Sequence, residues 1–147
     1  CTLIEEFYAY EKFDSDRTQI LASLADILAG SPYVNIWLIQ LRNPAYTRVG
    51  YVVLSHSYSL IHYGKNALVD ELYVRPEYQR QGIGTQVFQW LEQYCIEQNI
   101  KILDLEVTPH NAIARRFYER LGFQASQLTT LSKPIGTGQL AHHEDHA

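Results

Sequence analysis

The sequence predicts a single α+β domain, with a central twisted sheet that is mostly antiparallel, contains one parallel pair and is flanked by helices. Its 147 residues, 46% of them apolar, are enough to fill one core but not two. Two strand-like segments rich in β-branched and aromatic residues lie on either side of a short turn, which predicts an antiparallel hairpin. Further on, a strand, a helix and a strand follow one another, and such a crossover makes a parallel pair.

Two helices are predicted before the sheet begins. Residues 3–13 carry apolar side chains at a weak helical spacing, and a second segment places its apolar residues on one face. Asp14 or Ser15 can cap this second helix, because a short polar side chain accepts a hydrogen bond from one of its first free N–H groups. The Gly-Ser-Pro segment at 30–32 ends the helix.

The sheet is predicted from five segments of the chain. The hairpin joins residues 34–41 to residues 49–57, and the third strand, residues 67–74, is closed by Arg75 and Pro76. The crossover then runs through a helix that reaches about residue 98 to a strand at 100–107. A helix at 111–121 and a last strand at 127–132 complete the domain, which we place at residues 1–135. Residues 136–147 are expected to form a flexible tail.

Charge and composition exclude several classes of function. The net charge is −4 and the basic residues are scattered, so we expect no nucleic acid partner. No apolar run reaches the roughly 18 residues of a membrane span, and we expect a soluble cytoplasmic protein without a membrane partner. Cys1 and Cys95 make no metal-type pair, and Cys95 is expected to be a buried thiol. The tail histidines at 142, 143 and 146 lack a second ligand cluster, so no metal is expected.

Gly82 and Gly84 open the helix that follows the third strand. Bare backbone at a helix N-terminus presents unpaired N–H groups and the positive end of the helix dipole, which together favour an anion. The alternative is that the glycines only turn the chain. A nucleoside triphosphate loop is excluded because no Lys follows Gly84. A dinucleotide loop stays open as a rival, since Val87 stands where it needs a third glycine but Asp104 follows about 20 residues on.

Two motifs resemble the GNAT superfamily of acyl-CoA-dependent N-acetyltransferases. Residues 79–84, Gln-Arg-Gln-Gly-Ile-Gly, are similar to that family's Gln/Arg-x-x-Gly-x-Gly/Ala signature. Residues 111–123 are similar to its Asn-x-x-Ala-x-x-x-Tyr-Glu-x-x-Gly-Phe block. The likeness covers residues 49–123. It implies the GNAT fold and acetyl-CoA as co-substrate, with an amine as acceptor.

The resemblance also implies a set of coenzyme-binding residues. The loop would hold the pyrophosphate of coenzyme A on its N–H groups, the end of the third strand would splay from its neighbour and pair with the pantetheine amides, and Asn111 and Ala114 would contact the pantetheine arm. The residues implied are Leu72, Tyr73, Val74, Gln79, Arg80, Gln81, Gly82, Ile83, Gly84, Thr85, Asn111, Ala114 and Tyr118.

Acetyl transfer to an amine requires a proton acceptor, because an alkylamine with a pKa of about 10.4 is protonated at pH 7. Asp70 and Glu71 are adjacent acids on the third strand, and the period of two predicts that they face opposite ways. In polyamine-type members of the superfamily, the position matching Asp70 is the base and its neighbour holds the cationic substrate. Other members carry a glutamate where this chain has Leu68. Whether Asp70 or Glu71 acts, and whether either is only structural, stays open.

By the same resemblance, Tyr118 is the general acid that protonates the departing thiolate, and a backbone N–H at or beside Val74 meets the oxyanion. Ordinary aromatic packing is the alternative for Tyr118. The side chains considered for the acceptor pocket are Tyr8, Tyr10, Tyr51, Tyr58, Tyr63, His56 and His62. The acceptor is expected to be a polyamine-like amine, an amino acid, an aminoglycoside or a peptide. A non-catalytic acyl-CoA sensor is the alternative function, and homodimerisation is left open.

Overall fold

The computed structural model describes residues 1–42, 44–138 and 140. The elements in chain order are α1 (Thr2–Glu11), α2 (Arg17–Leu28), β1 (Val34–Arg42), β2 (Tyr46–Ser59), β3 (Gly64–Val74), a 3₁₀ turn (Pro76–Tyr78), α3 (Ile83–Glu97), β4 (Ile100–Leu105) and α4 (Ala112–Arg120). The strands lie in the order β1-β2-β3-β4, with β3 and β4 parallel and the other pairs antiparallel. The predicted α+β class, the single parallel pair and four of the five predicted strands are confirmed.

The cap of α2 differs from the prediction. Asp16, not Asp14 or Ser15, has the extended backbone of a cap residue, and its carboxylate accepts a hydrogen bond from the N–H of Thr18 at 2.8 Å. Asp14, Ser15 and the observed cap Asp16 are all short polar residues, so the sequence alone does not separate them. What decides is which carboxylate or hydroxyl reaches an unpaired N–H of the first turn.

Helices cover both faces of the sheet. On one face α1 and α2 pack on inward-facing residues of β2 and β3, including Tyr51, Val53 and Tyr73. On the other face α3 and α4 pack on a second cluster that contains Leu54 and Phe88. The two clusters leave the strand ends and the loops after them as the accessible parts of the sheet. Cys95 is buried, as predicted.

Strand β3 contains a bulge at the two candidate acids, Asp70 and Glu71. Val53 pairs with Glu71 and its neighbour Leu54 pairs with Val69, so Asp70 is an extra residue without a cross-strand partner on β2. Such a bulge bends the strand and re-aims its side chains. The strict alternation predicted for Asp70 and Glu71 is therefore wrong, because the bulge breaks the period of two between them.

The sheet opens between β3 and β4 at the glycine-loop end. The parallel pairing ends at Val69 with Leu105, whereas β3 continues to pair with β2 as far as Val74 opposite Gly50. The last residues of β3 therefore have no partner on the β4 side within the described chain. This is the splay that the family resemblance implies.

The predicted last strand at 127–132 is wrong. Those residues have no regular secondary structure, and Leu128 and Leu131 are 89% and 92% exposed. Strand propensity alone does not make a strand, because its hydrogen bonds need a neighbouring strand. No pairing partner reaches this segment among the described residues. Strand β4 also ends at Leu105, two residues before the predicted limit.

The boundary predicted between the domain and a flexible tail stays a prediction, since most of residues 136–147 lie outside the described residues. Within the described chain, none of the helices is both long and apolar enough to cross a bilayer.

Candidate functional site

The glycine loop links β3 to α3 through a short 3₁₀ turn. Arg80 and Gly82 both have positive φ values, 60° and 81°, and Gly82 is the N-terminal cap residue of α3. Gly82 suits this position because a left-handed backbone is strained for residues with a Cβ. Two left-handed residues this close together fold the chain into a concave turn in front of the helix.

Unpaired N–H groups line this turn. The first backbone bond of α3 runs from the N–H of Gln86 to the carbonyl of Gly82 at 3.1 Å. In the described structure no hydrogen-bond partner is found for the N–H groups of residues 80–85. Together with the positive end of the helix dipole, these groups can bind the oxygens of a phosphate-type anion. The exposed Arg80 adds a positive charge beside them.

Gly82 and Gly84 are needed for different structural reasons. A Cβ added at Gly82 would meet no atom within 4 Å, so the space in front of it is open to a ligand. A Cβ at Gly84 would lie 3.3 Å from Cζ of Phe117 on α4. Gly84 therefore lets α4 pack closely on the start of α3. This packing places the helix of Tyr118 beside the glycine loop.

Gln79 and Gln81 brace the loop. The amide of Gln79 donates to the carbonyl of Val74 at 2.7 Å, and that of Gln81 donates to the carbonyl of Glu77 at 3.1 Å. Both amide groups are thus engaged with the backbone. We infer that these two residues of the motif fix the shape of the loop, while its backbone N–H groups are left for the ligand.

The open edge of β3 presents further backbone groups. The N–H of Arg75 donates to the carbonyl of Val49 on β2 at 2.8 Å, so it points toward β2. Because N–H directions alternate along a strand, those of Leu72 and Val74 point away from β2, into the gap where β4 has diverged. They are positioned to bind an extended ligand or a developing oxyanion.

Glu71 is fixed by two tyrosines. The hydroxyl of Tyr8 on α1 donates to Oε1 at 2.8 Å, and that of Tyr51 on β2 donates to Oε2 at 2.6 Å. Burial, and then the carboxylate of Glu71, raises the pKa of both tyrosines, so both hydroxyls stay protonated. An ionised carboxylate accepts about four hydrogen bonds. Glu71 therefore keeps the capacity to bind a cationic group.

Asp70 is exposed at the bulge and lies close enough to Tyr8 for its charge to contribute to the raised pKa of that tyrosine. The bulge thus brings both acids to the side of the sheet that α1 covers. One carboxylate is fixed and half-buried, and the other is exposed to solvent.

Ala114 and Tyr118 lie on α4, and Asn111 is its N-terminal cap residue, so Asn111 has a structural role as well. Its Oδ1 caps α4 by accepting the N–H of Ala114 at 3.0 Å, which leaves its amide Nδ2 for a ligand. Tyr118 is half-buried against Phe88 and Phe123. Burial raises its pKa, and its hydroxyl has no protein partner among the described residues.

Two features of the site were missed by the sequence reasoning. Arg75 makes a bidentate pair with Glu6 of α1, both distances being 2.8 Å, and also donates to the carbonyl of Arg48 at 3.1 Å. A Cβ at Gly50 would lie 2.0 Å from the carbonyl oxygen of Tyr73, so only glycine lets β2 approach β3 there. An isolated glycine inside a strand pattern is a signal for such an approach, whereas nothing in the sequence pairs Arg75 with Glu6.

The side chains considered for the acceptor pocket do not all come together. Tyr8 and Tyr51 contact Glu71, and Tyr10 lies beside Glu6 near the end of β3. By contrast, Tyr58 and His56 line a different cleft at the far end of the sheet. Tyr63 and His62 lie in the turn between β2 and β3.

Among residues 1–42, 44–138 and 140, no three His, Cys, Asp or Glu side chains come together as a metal site would need. The histidines at 142, 143 and 146 lie outside the described residues.

Comparison with known proteins gives one consistent result. A family model described as the acetyltransferase (GNAT) family matches residues 3–123. The chain is 31% identical over 129 residues to the thialysine N-epsilon-acetyltransferase of Bos taurus, covering 83% of this chain and 75% of that protein. It is 30% identical over 110 residues to the [ribosomal protein bS18]-alanine N-acetyltransferase of Escherichia coli K12, covering 75% of this chain and 68% of the relative.

Among solved structures, an integron cassette protein from the mobile metagenome of the Cole Harbour salt marsh superposes with a TM-score of 0.77 at 27% identity. That match covers 92% of this chain and 82% of the other. Fold, loop and matches together define an acyltransferase enzyme. The chain belongs to the GNAT family of acetyltransferases, which confirms the resemblance carried by its two motifs.

Proposed function

We propose that this protein transfers the acetyl group of acetyl-CoA to the primary amine of a small cationic acceptor. The observation that carries the proposal is the run of unpaired N–H groups at residues 80–85, which opens beside the free edge of β3. A pyrophosphate and an extended amide chain need these two features side by side. A loop that only turned the chain would not need an open strand edge next to it.

In this proposal, coenzyme A binds along a path through the loop and the gap between β3 and β4. The pyrophosphate oxygens accept hydrogen bonds from the loop N–H groups, and Arg80 contributes its charge. The pantetheine amides pair with the outward backbone groups of Leu72, as a strand would, which leaves the N–H of Val74 for the reacting carbonyl. The amide Nδ2 of Asn111 contacts the same arm from α4, where Ala114 leaves it room.

In this proposal, Glu71 and Asp70 have different roles toward the acceptor amine. Glu71, held by Tyr8 and Tyr51, binds the positive charge of the acceptor. Asp70, exposed at the bulge, takes the proton of the attacking amine through water. A fixed carboxylate positions a cation well, while an exposed carboxylate can return its proton to solvent between turnovers.

The chemical step is a direct attack. The neutral amine nitrogen attacks the thioester carbonyl carbon, and the N–H of Val74 stabilises the oxyanion. Collapse of the tetrahedral intermediate breaks the carbon–sulfur bond and releases the thiolate of coenzyme A, while the nitrogen gives its extra proton to water and becomes the neutral amide. Tyr118 donates its hydroxyl proton to that sulfur, a role suited to a buried phenol whose raised pKa keeps it protonated.

The names of the relatives suggest two kinds of acceptor, the side-chain amine of a thialysine-like amino acid and the N-terminal amine of a protein. We favour the small molecule, because Glu71 lies in a site with a further acid, Asp70, next to it along the strand. Such a pair suits an acceptor that carries a second positive charge. A peptide end offers only one charge at the reacting amine.

Thiol release with a panel of acceptors tests the proposal. Thialysine, lysine, spermidine, an aminoglycoside and an alanine-ended peptide are each incubated with acetyl-CoA, and free thiol is followed with time. We expect release above background with a small di-cation and little with the peptide. Release only with the peptide would reverse the acceptor assignment. Coenzyme binding without release from any acceptor would instead support an acyl-CoA sensor.

A further inference from the structure

A second cleft lies at the opposite end of the sheet from the glycine loop. It has a volume of about 510 Å³ and is formed by the start of β1, the end of β2, the start of β3 and the C-terminal half of α3. Seen from Gly50 at the glycine-loop end, His56 lies six residues further along β2, or about 20 Å at the rise of a strand. This cleft is therefore separate from the acetyl-transfer site.

A polar network forms the floor of the cleft. Oδ1 of Asn35 accepts hydrogen bonds from Nε2 of His56 at 2.7 Å and from the hydroxyl of Tyr94 at 3.2 Å. This arrangement fixes the amide of Asn35 with its Nδ2 group turned away from both partners. In the described chain, the only fully enclosed polar side-chain atom without a partner is Oδ1 of Asn66. The Asn35 amide nitrogen, which has no protein partner of its own, is therefore accessible as a donor.

The cleft carries a single positive charge. Lys65 is its only Lys, Arg, Asp or Glu, and the described residues offer it no ion pair, in a chain whose net charge is −4. Burial, and then the ammonium of Lys65, lowers the pKa of His56, so the imidazole is neutral at pH 7. Gln98 at the C-terminal cap of α3 adds the negative end of a helix dipole. The helix end opposes negative charge and Lys65 supplies one positive charge, so the cleft can balance a monoanion but not a phosphate dianion.

Two exposed aromatic rings stand at the rim. Tyr33 and Tyr58 both line the cleft, and each is 70% exposed, so a face of each ring is available to a ligand. Flat aromatic faces of this kind bind planar apolar groups by stacking or edge contact.

We propose that this cleft binds a small aromatic monocarboxylate, whose carboxylate contacts the Lys65 ammonium and the Asn35 amide while its ring packs on Tyr33 and Tyr58. The proposal does not depend on the acetyl-transfer reaction. A ligand here would stabilise the junction of β1, β2, β3 and α3, all of which contribute to the cleft.

The test is a titration of the whole chain with benzoate, followed by amide chemical shifts. We expect saturable shifts confined to the residues around the cleft. Lys65→Gln should weaken benzoate binding about tenfold, because it removes a charge-assisted hydrogen bond. Lys101→Gln, on the neighbouring strand but outside the cleft, is the matched control and should leave the affinity unchanged.

Two further probes distinguish the contribution of the ligand's charge from that of its aromatic ring. Benzylamine reverses the charge and acetate removes the ring, and both should bind more weakly than benzoate. Equal binding of benzylamine, no saturable shift with benzoate, or an affinity unaffected by Lys65→Gln would each overturn the proposal. Shifts at the glycine loop instead of the cleft would also overturn it. Thiol release by Lys65→Gln should match that of the unaltered chain, so this test stands apart from the test of acetyl transfer.

Discussion

At the scale of single residues, Gly82 gives the sharpest test of the loop. A glutamate there would place a bulky negative side chain in the open space before the N–H groups, so Gly82→Glu should abolish acetyl-CoA binding. The left-handed backbone, φ 81°, should also cost about 1–2 kcal/mol of stability. Thermal unfolding with and without acetyl-CoA measures both effects.

Gly30 supplies the matched control for Gly82. Its φ is 97° and a Cβ there also meets nothing within 4 Å, yet it follows α2, away from the glycine loop. Gly30→Glu should show a similar loss of stability and a normal shift of the melting temperature with acetyl-CoA. An equal loss of that shift in both variants would mean that the effect at Gly82 is general destabilisation.

The roles proposed for Asp70 and Glu71 can be distinguished, because replacing each residue should change a different kinetic constant. Glu71→Gln should raise the KM for the acceptor about tenfold with a smaller effect on kcat, because a charge-assisted contact made in the ground state is lost. Asp70→Asn should lower kcat by about a hundredfold with a smaller effect on the KM for the acceptor, since the proton acceptor is removed. The opposite assignment would follow if the two patterns were exchanged.

Tyr118→Phe should lower kcat on the order of tenfold to a hundredfold while the affinity for acetyl-CoA changes little. Its hydroxyl has no protein partner among the described residues, so its removal should leave the melting temperature nearly unchanged. Steady-state kinetics with calorimetric affinities measure this. Tyr94→Phe, also half-buried but remote from the loop, is the control. A kcat as high as that of the unaltered chain would reduce Tyr118 to a packing residue.

Residue identities were predictable where a motif carried them and not where a long-range contact did. The positions of the glycines before α3, and of Asn111 and Tyr118 at α4, follow from their spacing and the family resemblance, while their roles stay predictions. The hydrogen bonds that Tyr8 and Tyr51 donate to Glu71 could not be predicted. Tyr8 is 63 residues away in sequence, and no local pattern places it beside this strand. The same holds for the pair of Arg75 with Glu6, which are 69 residues apart.

At the scale of elements, the Arg75–Glu6 pair fastens α1 to the end of β3. Glu6→Gln should cost about 1 kcal/mol in the free energy of unfolding at pH 7, toward the upper end for partly exposed pairs because the contact is bidentate. Glu5→Gln breaks the more exposed Arg17–Glu5 pair on the same helix and should cost less. Urea denaturation of the three proteins compares them.

The same pair predicts a pH dependence. Hydrogen bonding to Arg75, opposed in part by burial, lowers the pKa of Glu6 from its ordinary value of 4.5. The folded state thus binds fewer protons than the unfolded state, and the stabilisation is present above pH 4.5 and lost as the pH falls below it. Glu6→Gln should lose less stability than the unaltered chain between pH 5 and pH 3, roughly the span of this titration. An identical acid dependence would show that the pair contributes nothing.

A local sequence pattern predicted a helix or strand correctly only where the folded chain also provides a neighbouring element for it to pair with or pack against. The strands of the hairpin and the crossover helix formed near their predicted limits, because the residues facing them were apolar on the matching side. Residues 127–132 have comparable strand propensity but no partner strand among the described residues. The bulge at Asp70 arises from how β2 and β3 pair, which a single strand pattern does not record.

At the scale of the whole molecule, the architecture explains how a chain of net charge −4 can hold an anionic coenzyme. The attraction comes from backbone groups and a helix dipole at one end of the sheet, and does not need a basic surface. The acids lie on the face covered by α1, where the cationic acceptor is proposed to bind. In the proposed mechanism, the anionic coenzyme binds at the glycine loop and the cationic acceptor binds on the face of the sheet that α1 covers.

The central claim is that the glycine loop and the open edge of β3 form a coenzyme A site, and calorimetric titration with acetyl-CoA tests it most directly. NAD serves as the comparison, because a dinucleotide-binding loop is the rival use of the same glycines. We predict saturable binding of one acetyl-CoA per chain and no measurable heat with NAD. Binding of NAD in preference to acetyl-CoA, or of neither, would contradict the account.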